Sequence, residues 1–223
     1  MKPLPIVLLL AAALAGAAAG FLVFRDHSLP PPPLVRITVP ATDESEPPAP
    51  AIPATVPDIS LPDLGGKPFA LRSADGHPRL FNFWATWCEP CRREIPLLNT
   101  LQEIHAGDGL RIIGIAVDFR EAVQGYLKTR PLRYTALVGE ESGLEAAQKF
   151  GMDLLLPFSV FADGENRIVA VKVGELHQDE ADAILSEMRR LKAGNTNLAD
   201  AQAAIAGAMK QLAATRAKQS TAK

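Results

Sequence analysis

The two cysteines of this 223-residue chain, Cys88 and Cys91, stand three positions apart where the sequence changes its period. Before them, Arg79 to Trp84 (RLFNFW) is a short apolar and aromatic run of strand type. After them, Ile95, Leu98, Leu101 and Ile104 recur at helical spacing, and the pattern stops near Gly107 and Gly109. A strand running into a helix places Cys88 at the helix mouth and Cys91 one turn inside. There, unpaired backbone N–H groups and the positive end of the helix dipole stabilise a thiolate. Thiols in such C-x-x-C sites have pKa values of roughly 3.5–7.5, against about 8.5 for free cysteine.

The same alternation continues downstream. Leu110 to Val117 (LRIIGIAV) reads as a buried strand, Glu121 to Thr129 as a helix and Tyr134 to Val138 as a strand. Leu144 to Phe150 reads as a helix capped by Gly151. Phe158 to Ala162 and Arg167 to Val173 form two strands about an Asp163-Gly164 turn, and Asp179 to Leu191 closes the unit with a helix. The pattern predicts an α/β domain with an antiparallel hairpin at one side of its sheet.

Two cysteines cannot supply a four-ligand zinc site, and four scattered histidines do not complete one. They also cannot build a disulfide-dense scaffold. Covalent haem attachment needs Cys-x-x-Cys-His, and residue 92 is Arg. A purely structural disulfide would close a very small loop and stabilise little. A redox pair, that structural bridge and a two-thiol metal site are the readings the spacing leaves open. The formal net charge of -2 leaves no basic surplus for phosphates, so no nucleic-acid partner is expected.

The flanks are of different composition. Pro5 to Phe24 carries no charge and, as a helix, would span about 30 Å, the thickness of a bilayer's hydrocarbon. Residues 1–27 are therefore expected to act as a signal-anchor. The alternative is a cleaved signal ending near Ala17-Ala18-Ala19. Residues 28–57 hold ten of the nineteen prolines and predict an extended linker. Residues 58–192 form the predicted domain. Residues 193–223 are an Ala-rich tail, with one helix from about Leu198 to Arg216 whose thin apolar stripe includes Ala201, Ile205 and Leu212.

The segment Asn82-Phe83-Trp84-Ala85-Thr86-Trp87-Cys88-Glu89-Pro90-Cys91-Arg92-Arg93-Glu94-Ile95-Pro96 resembles the active-site segment of the TlpA/ResA-like branch of the thioredoxin family. The resemblance covers roughly residues 58–192 and reaches Leu156-Pro157, at the place of that family's cis-proline loop. It implies a thioredoxin-like fold, with a central mixed sheet flanked by helices. It implies a redox-active Cys88–Cys91 disulfide in which Cys88 attacks and Cys91 resolves, with Glu94 as the acidic residue of the reductase branch. It implies substrate binding at Trp87, Leu156 and Pro157, with a cis bond before Pro157 and no bound cofactor or metal. Glu94 also has a plainer reading, a solvated glutamate in the first helical turn, and Trp87 could equally be a core residue.

The family likeness further implies a protein-disulfide reductase held in a bacterial inner membrane, with its catalytic domain in the periplasm. Its partners would be exported proteins with disulfides and a membrane electron donor, for example in cytochrome c or copper-site maturation. A net thiol oxidant is the alternative enzyme. A copper-handling module using the two thiols is the alternative of another class. The chain departs from many relatives in having Phe158-Ser159 after Pro157, and from ordinary thioredoxin in having Asn82 in place of a buried aspartate.

Overall fold

The computed structural model describes residues 52–72, 75–153 and 155–221. The predicted span, Pro5 to Phe24, and the linker up to residue 51 lie outside the described residues. No helix among the described residues is long and apolar enough to cross a membrane.

Strand β3 (Arg79–Trp84) is the centre of the fold and is buried along its whole length. Its alternate residues face opposite sides, as the pleat requires. Leu80 packs with Leu98 and Leu101 of α1 (Glu89–His105) and with Ile184 and Leu185 of α4 (Gln178–Lys192). Phe81 and Phe83 pack on the other face with Ala146 and Ala147 of α3 (Glu140–Lys149) and with Phe150. The Phe83 and Phe158 rings stack with centroids 4.2 Å apart. Burying one such ring stabilises the fold by roughly 1.5–3 kcal/mol, so Phe83→Ala is expected to cost about 3–5 kcal/mol once the cavity is included.

Four more strands complete a five-stranded sheet in the order β5-β4-β3-β6-β7. They are β4 (Arg111–Ala116), β5 (Thr135–Val138), β6 (Phe158–Ala162) and β7 (Ile168–Val173). Pairing is parallel for β3–β4 and β4–β5, and antiparallel for β3–β6 and β6–β7. The sheet is mixed, with the expected hairpin at one side. α2 (Arg120–Leu127) connects β4 to β5 and buries Val123.

The structure departs from the sequence pattern in three places. A small hairpin, β1 (Ser60–Pro62) and β2 (Pro68–Ala70), precedes the sheet. Its three-residue strands carry Pro62 and Pro68 and show no alternation that a sequence pattern could register. The fold also begins inside the stretch read as linker. The Ala54 carbonyl accepts the Ile168 N–H at 2.9 Å, and Val56 is buried in the core. α3 starts at Glu140 rather than Leu144. Gly143 reads as a breaker, yet a Cβ there would lie 3.3 Å from the Val117 backbone. The missing side chain is what lets this helix sit so close to the sheet.

The tail forms α5 (Leu198–Thr221), longer than expected. Ala201 and Ile205 are buried, and Leu198 and Met209 pack against the α1–α4 side of the core. Gln202 Nε2 donates to the Ile168 carbonyl at 2.9 Å. Arg216 Nη1 donates to the buried Glu180 carboxylate at 2.6 Å, and its other nitrogen pairs with Asp179. The appended helix is therefore docked on the domain.

Candidate functional site

β3 ends at Trp84, and the loop Ala85 to Trp87 turns the chain into α1. Asp118, just past the end of β4, holds this loop. One of its carboxylate oxygens accepts the Thr86 N–H at 2.8 Å and the Thr86 hydroxyl at 2.6 Å, and the other accepts the Phe119 N–H. Arg92 Nη1 donates to the Thr86 carbonyl at 2.8 Å from the helix side. The loop is thus pinned before and after the cysteines. Asp118 carried no motif in the sequence, because it lies 32 residues from Thr86.

Cys88 is the N-cap of α1, Pro90 occupies the first turn, and the helix continues through Pro96. Proline suits that first turn, where its missing N–H leaves nothing unpaired. The Cys91 N–H donates to Cys88 Sγ at 3.3 Å, so the sulfur does what a capping oxygen does elsewhere. Cys88 and Cys91 form a disulfide. Cys88 retains 5% exposure and Cys91 none. Only Cys88 can be reached from outside.

Leu156 packs against the cluster that contains both cysteines, and the Leu156–Pro157 bond is cis, as the resemblance implied. The Pro157 carbonyl accepts the Gly174 N–H at 2.8 Å, which ties this loop to the end of β7. Trp87 is 62% exposed, which removes its reading as a core residue. Phe119 and Leu155 are exposed as well. Phe119 follows the Asp118 clamp, and Leu155 precedes Leu156 and the cis-proline.

Glu94 lies one helical turn beyond Cys91 and is buried, not solvated. Asn82 Nδ2 donates to its Oε1 at 2.7 Å, and the Leu176 N–H donates to its Oε2 at 2.7 Å. Burial disfavours the charged form and outweighs these two bonds, so the Glu94 carboxyl is pushed up to about 7. A carboxyl of that kind gains and loses protons at neutral pH. Its hydrogen-bond partners, Asn82 and the backbone of Leu176, limit the rise rather than cause it, and neither was legible as a site residue.

The geometry and fold define a thioredoxin-like thiol-disulfide oxidoreductase. Residues 53–185 match the Redoxin family. The chain belongs to that family and to its TlpA/ResA-like branch. A thiol-disulfide oxidoreductase ResA of Bacillus cereus is 28% identical over 133 residues, which cover 59% of this chain and 75% of that protein. The thiol:disulfide interchange protein HelX of Rhodobacter capsulatus is 36% identical over 131 residues, covering 55% of this chain and 68% of its own length. Among solved structures, a thiol:disulfide interchange protein of the thioredoxin family from Chlorobium tepidum TLS superposes with a TM-score of 0.53 at 31% identity. That match covers 61% of this chain and 96% of the other.

Proposed function

We propose that the chain is a protein-disulfide reductase acting on exported proteins. The single observation that carries the reading is the stack of Cys88 at the helix mouth, Cys91 buried one turn inside and Glu94 buried one turn further. In the reduced protein the Cys88 thiolate attacks a substrate disulfide, and one substrate sulfur leaves as a thiolate. Cys91 gives its proton to the Glu94 carboxylate and attacks Cys88 Sγ, which releases the second substrate sulfur. Two electrons pass from the Cys88–Cys91 pair to the substrate. One proton for the released thiolates comes by way of Glu94 and the other from solvent. A membrane electron donor with its own dithiol returns the pair to the reduced state.

Trp87, Leu156 and the backbone before Pro157 form the substrate edge. Leu156 packs against the cysteine cluster, and the exposed Phe119 and Leu155 suit an extended, partly unfolded chain. Reduced cysteine pairs of a cytochrome c precursor or a copper-site protein are the products of this reading. Pro5 to Phe24 acts as an inner-membrane anchor, with the domain in the periplasm on a linker of about 25 residues and up to about 75 Å of reach.

Trapping with Cys91→Ala in cells tests the reading. Mixed disulfides through Cys88 to exported proteins with cysteine pairs are expected, with the protein in the membrane fraction. Absence of such adducts would overturn the reductase role, and a soluble form lacking about twenty N-terminal residues would overturn the anchor.

A further inference from the structure

Asn82 sits in the middle of β3 with no solvent exposure. Both protons of its amide nitrogen are engaged, one with Glu94 Oε1 at 2.7 Å and one with Ser159 Oγ at 3.1 Å. Its Oδ1 is buried and has no hydrogen-bond partner among the described residues. Leaving an acceptor in that state costs about 1–3 kcal/mol, so the atom calls for an explanation.

Glu94 supplies one. Its Oε2 already accepts the Leu176 N–H. A proton arriving on Glu94 therefore settles on Oε1, the oxygen that faces Asn82. There it meets the N–H of Asn82 rather than an acceptor. Half a turn about the last side-chain bond of Asn82 exchanges nitrogen and oxygen in nearly the same volume. Oδ1 then accepts the O–H of protonated Glu94 and also the hydroxyl proton of Ser159, while Nδ2 takes the partnerless place that Oδ1 held, so neither arrangement satisfies the whole amide and neither is locked in.

We propose that Asn82 is a positioning residue for Glu94 whose side-chain amide turns with the protonation of that carboxyl, presenting Nδ2 to the carboxylate and Oδ1 to the acid. The proposal rests on the proton-accepting role of Glu94 given above. As Cys91 bonds to Cys88, its proton passes to Glu94 and the amide turns; when Glu94 hands that proton to a released thiolate the amide turns back, to the arrangement the disulfide-bonded structure shows. On re-reduction the same exchange runs in reverse. Asn82 itself gains and loses nothing. An aspartate here would compete for the same proton, and an apolar residue would hold neither state.

The surroundings of Glu94 suit two populated states. Lys172 on β7 favours the charged form, whereas Glu175 after β7 opposes it. The hydroxyl of Tyr134, just before β5, is buried and kept neutral, raised well above the ordinary value by desolvation. Cys91 on α1 is held in the disulfide in this structure. With Glu94 pushed up to about 7, acid and carboxylate coexist near neutrality.

The test is nuclear magnetic resonance on the full-length oxidised chain in detergent, with labelled Asn side-chain amides and Glu carboxyls, from about pH 5 to about pH 9. The Asn82 amide protons are expected to shift with the same midpoint as the Glu94 carboxyl. In Glu94→Gln they are expected to stay at their low-pH position throughout, because a Gln amide can donate to Oδ1 and still accept from Leu176. Asn82 signals that stay fixed while Glu94 titrates would overturn the proposal. In Asn82→Leu the Glu94 midpoint is expected to rise by roughly one pH unit, a tenfold change in proton affinity, because the charge-assisted bond lost from the carboxylate is about twice as strong as the bond lost from the acid. An unchanged midpoint overturns the positioning role. If that variant does not fold, the wild-type titration decides alone. Disulfide-reduction kinetics that ignore Glu94→Gln would remove the catalytic role of Glu94 while leaving the coupled titration standing, so the two failures are distinct.

Discussion

The carboxylate of Glu94, on the active-site helix, accepts the backbone N–H of Leu176, 82 residues further along the chain, at 2.7 Å. One side chain thus joins the helix that carries the cysteines to the segment that follows β7. The bond is made by a carboxyl group that burial keeps near the edge of ionisation.

This has a consequence for stability. Glu94 is raised from the ordinary carboxyl value of 4.5 to about 7 in the folded chain. Between those values the folded state binds the proton more tightly than the unfolded state does, so stability is fully present below about pH 4.5 and declines as pH rises through about 7. The gap corresponds to about 3 kcal/mol. Glu94→Gln, which does not titrate, is expected to be more stable than the parent at pH 8 by an amount of this order, and to lose that advantage near pH 5. Urea unfolding of both proteins across that range checks it. Parallel curves would show that Glu94 titrates normally.

Reactivity of the two thiols is expected to differ after reduction. Cys88 caps the helix and keeps some exposure, whereas Cys91 has none. Brief alkylation at neutral pH, followed by peptide mass measurement, should find the label on Cys88 first. Prior labelling of Cys91 would reverse the assigned roles.

The tail is expected to contribute to the stability of the whole domain. Ile205→Ala should cost about 2–4 kcal/mol, since Ile205 is buried between α5 and the α4 side of the core. Arg216→Ala should cost about 1–2 kcal/mol, because Glu180 is buried and loses its strongest partner while Lys172 stays 3.7 Å away. Thermal denaturation reads both. Melting temperatures equal to the parent's would mean that α5 adds nothing to the fold.

Gly114 is expected to resist any side chain. A Cβ there would lie 2.9 Å from the Tyr134 ring and 3.2 Å from Trp84 Nε1, and both rings are packed under α1. Gly114→Ala should destabilise by about 1–3 kcal/mol through overpacking. A variant of unchanged stability would show that the Tyr134 ring moves freely.

Most of the sheet and its helices were legible because their signals are local. Arg79 to Trp84, the helical spacing of Ile95 to Leu101 and the Asp163-Gly164 turn each carry their period within a few residues. The β1–β2 hairpin and the early start of α3 were not legible. Pro62, Pro68 and Gly143 read as breakers, and only their neighbours in space make them compatible with a strand or a helix.

The site divides in the same way. Cys88, Cys91 and Pro157 were named by a motif whose chemistry depends on spacing and helix position, which a sequence carries directly. The state of Glu94 was not. A glutamate in the first turns of a helix reads as solvated, and nothing beside it in the chain says otherwise. Its hydrogen-bonding network joins Asn82 on one strand, Ser159, 77 residues beyond Asn82 on the next, and the Leu176 amide past the end of the sheet. The sequence by itself determined which sulfur atoms meet, because three residues of helix bring them together. Only the tertiary structure decided where the proton beside them can reside, because desolvation is set by every element packed around a group and not by its neighbours in the chain.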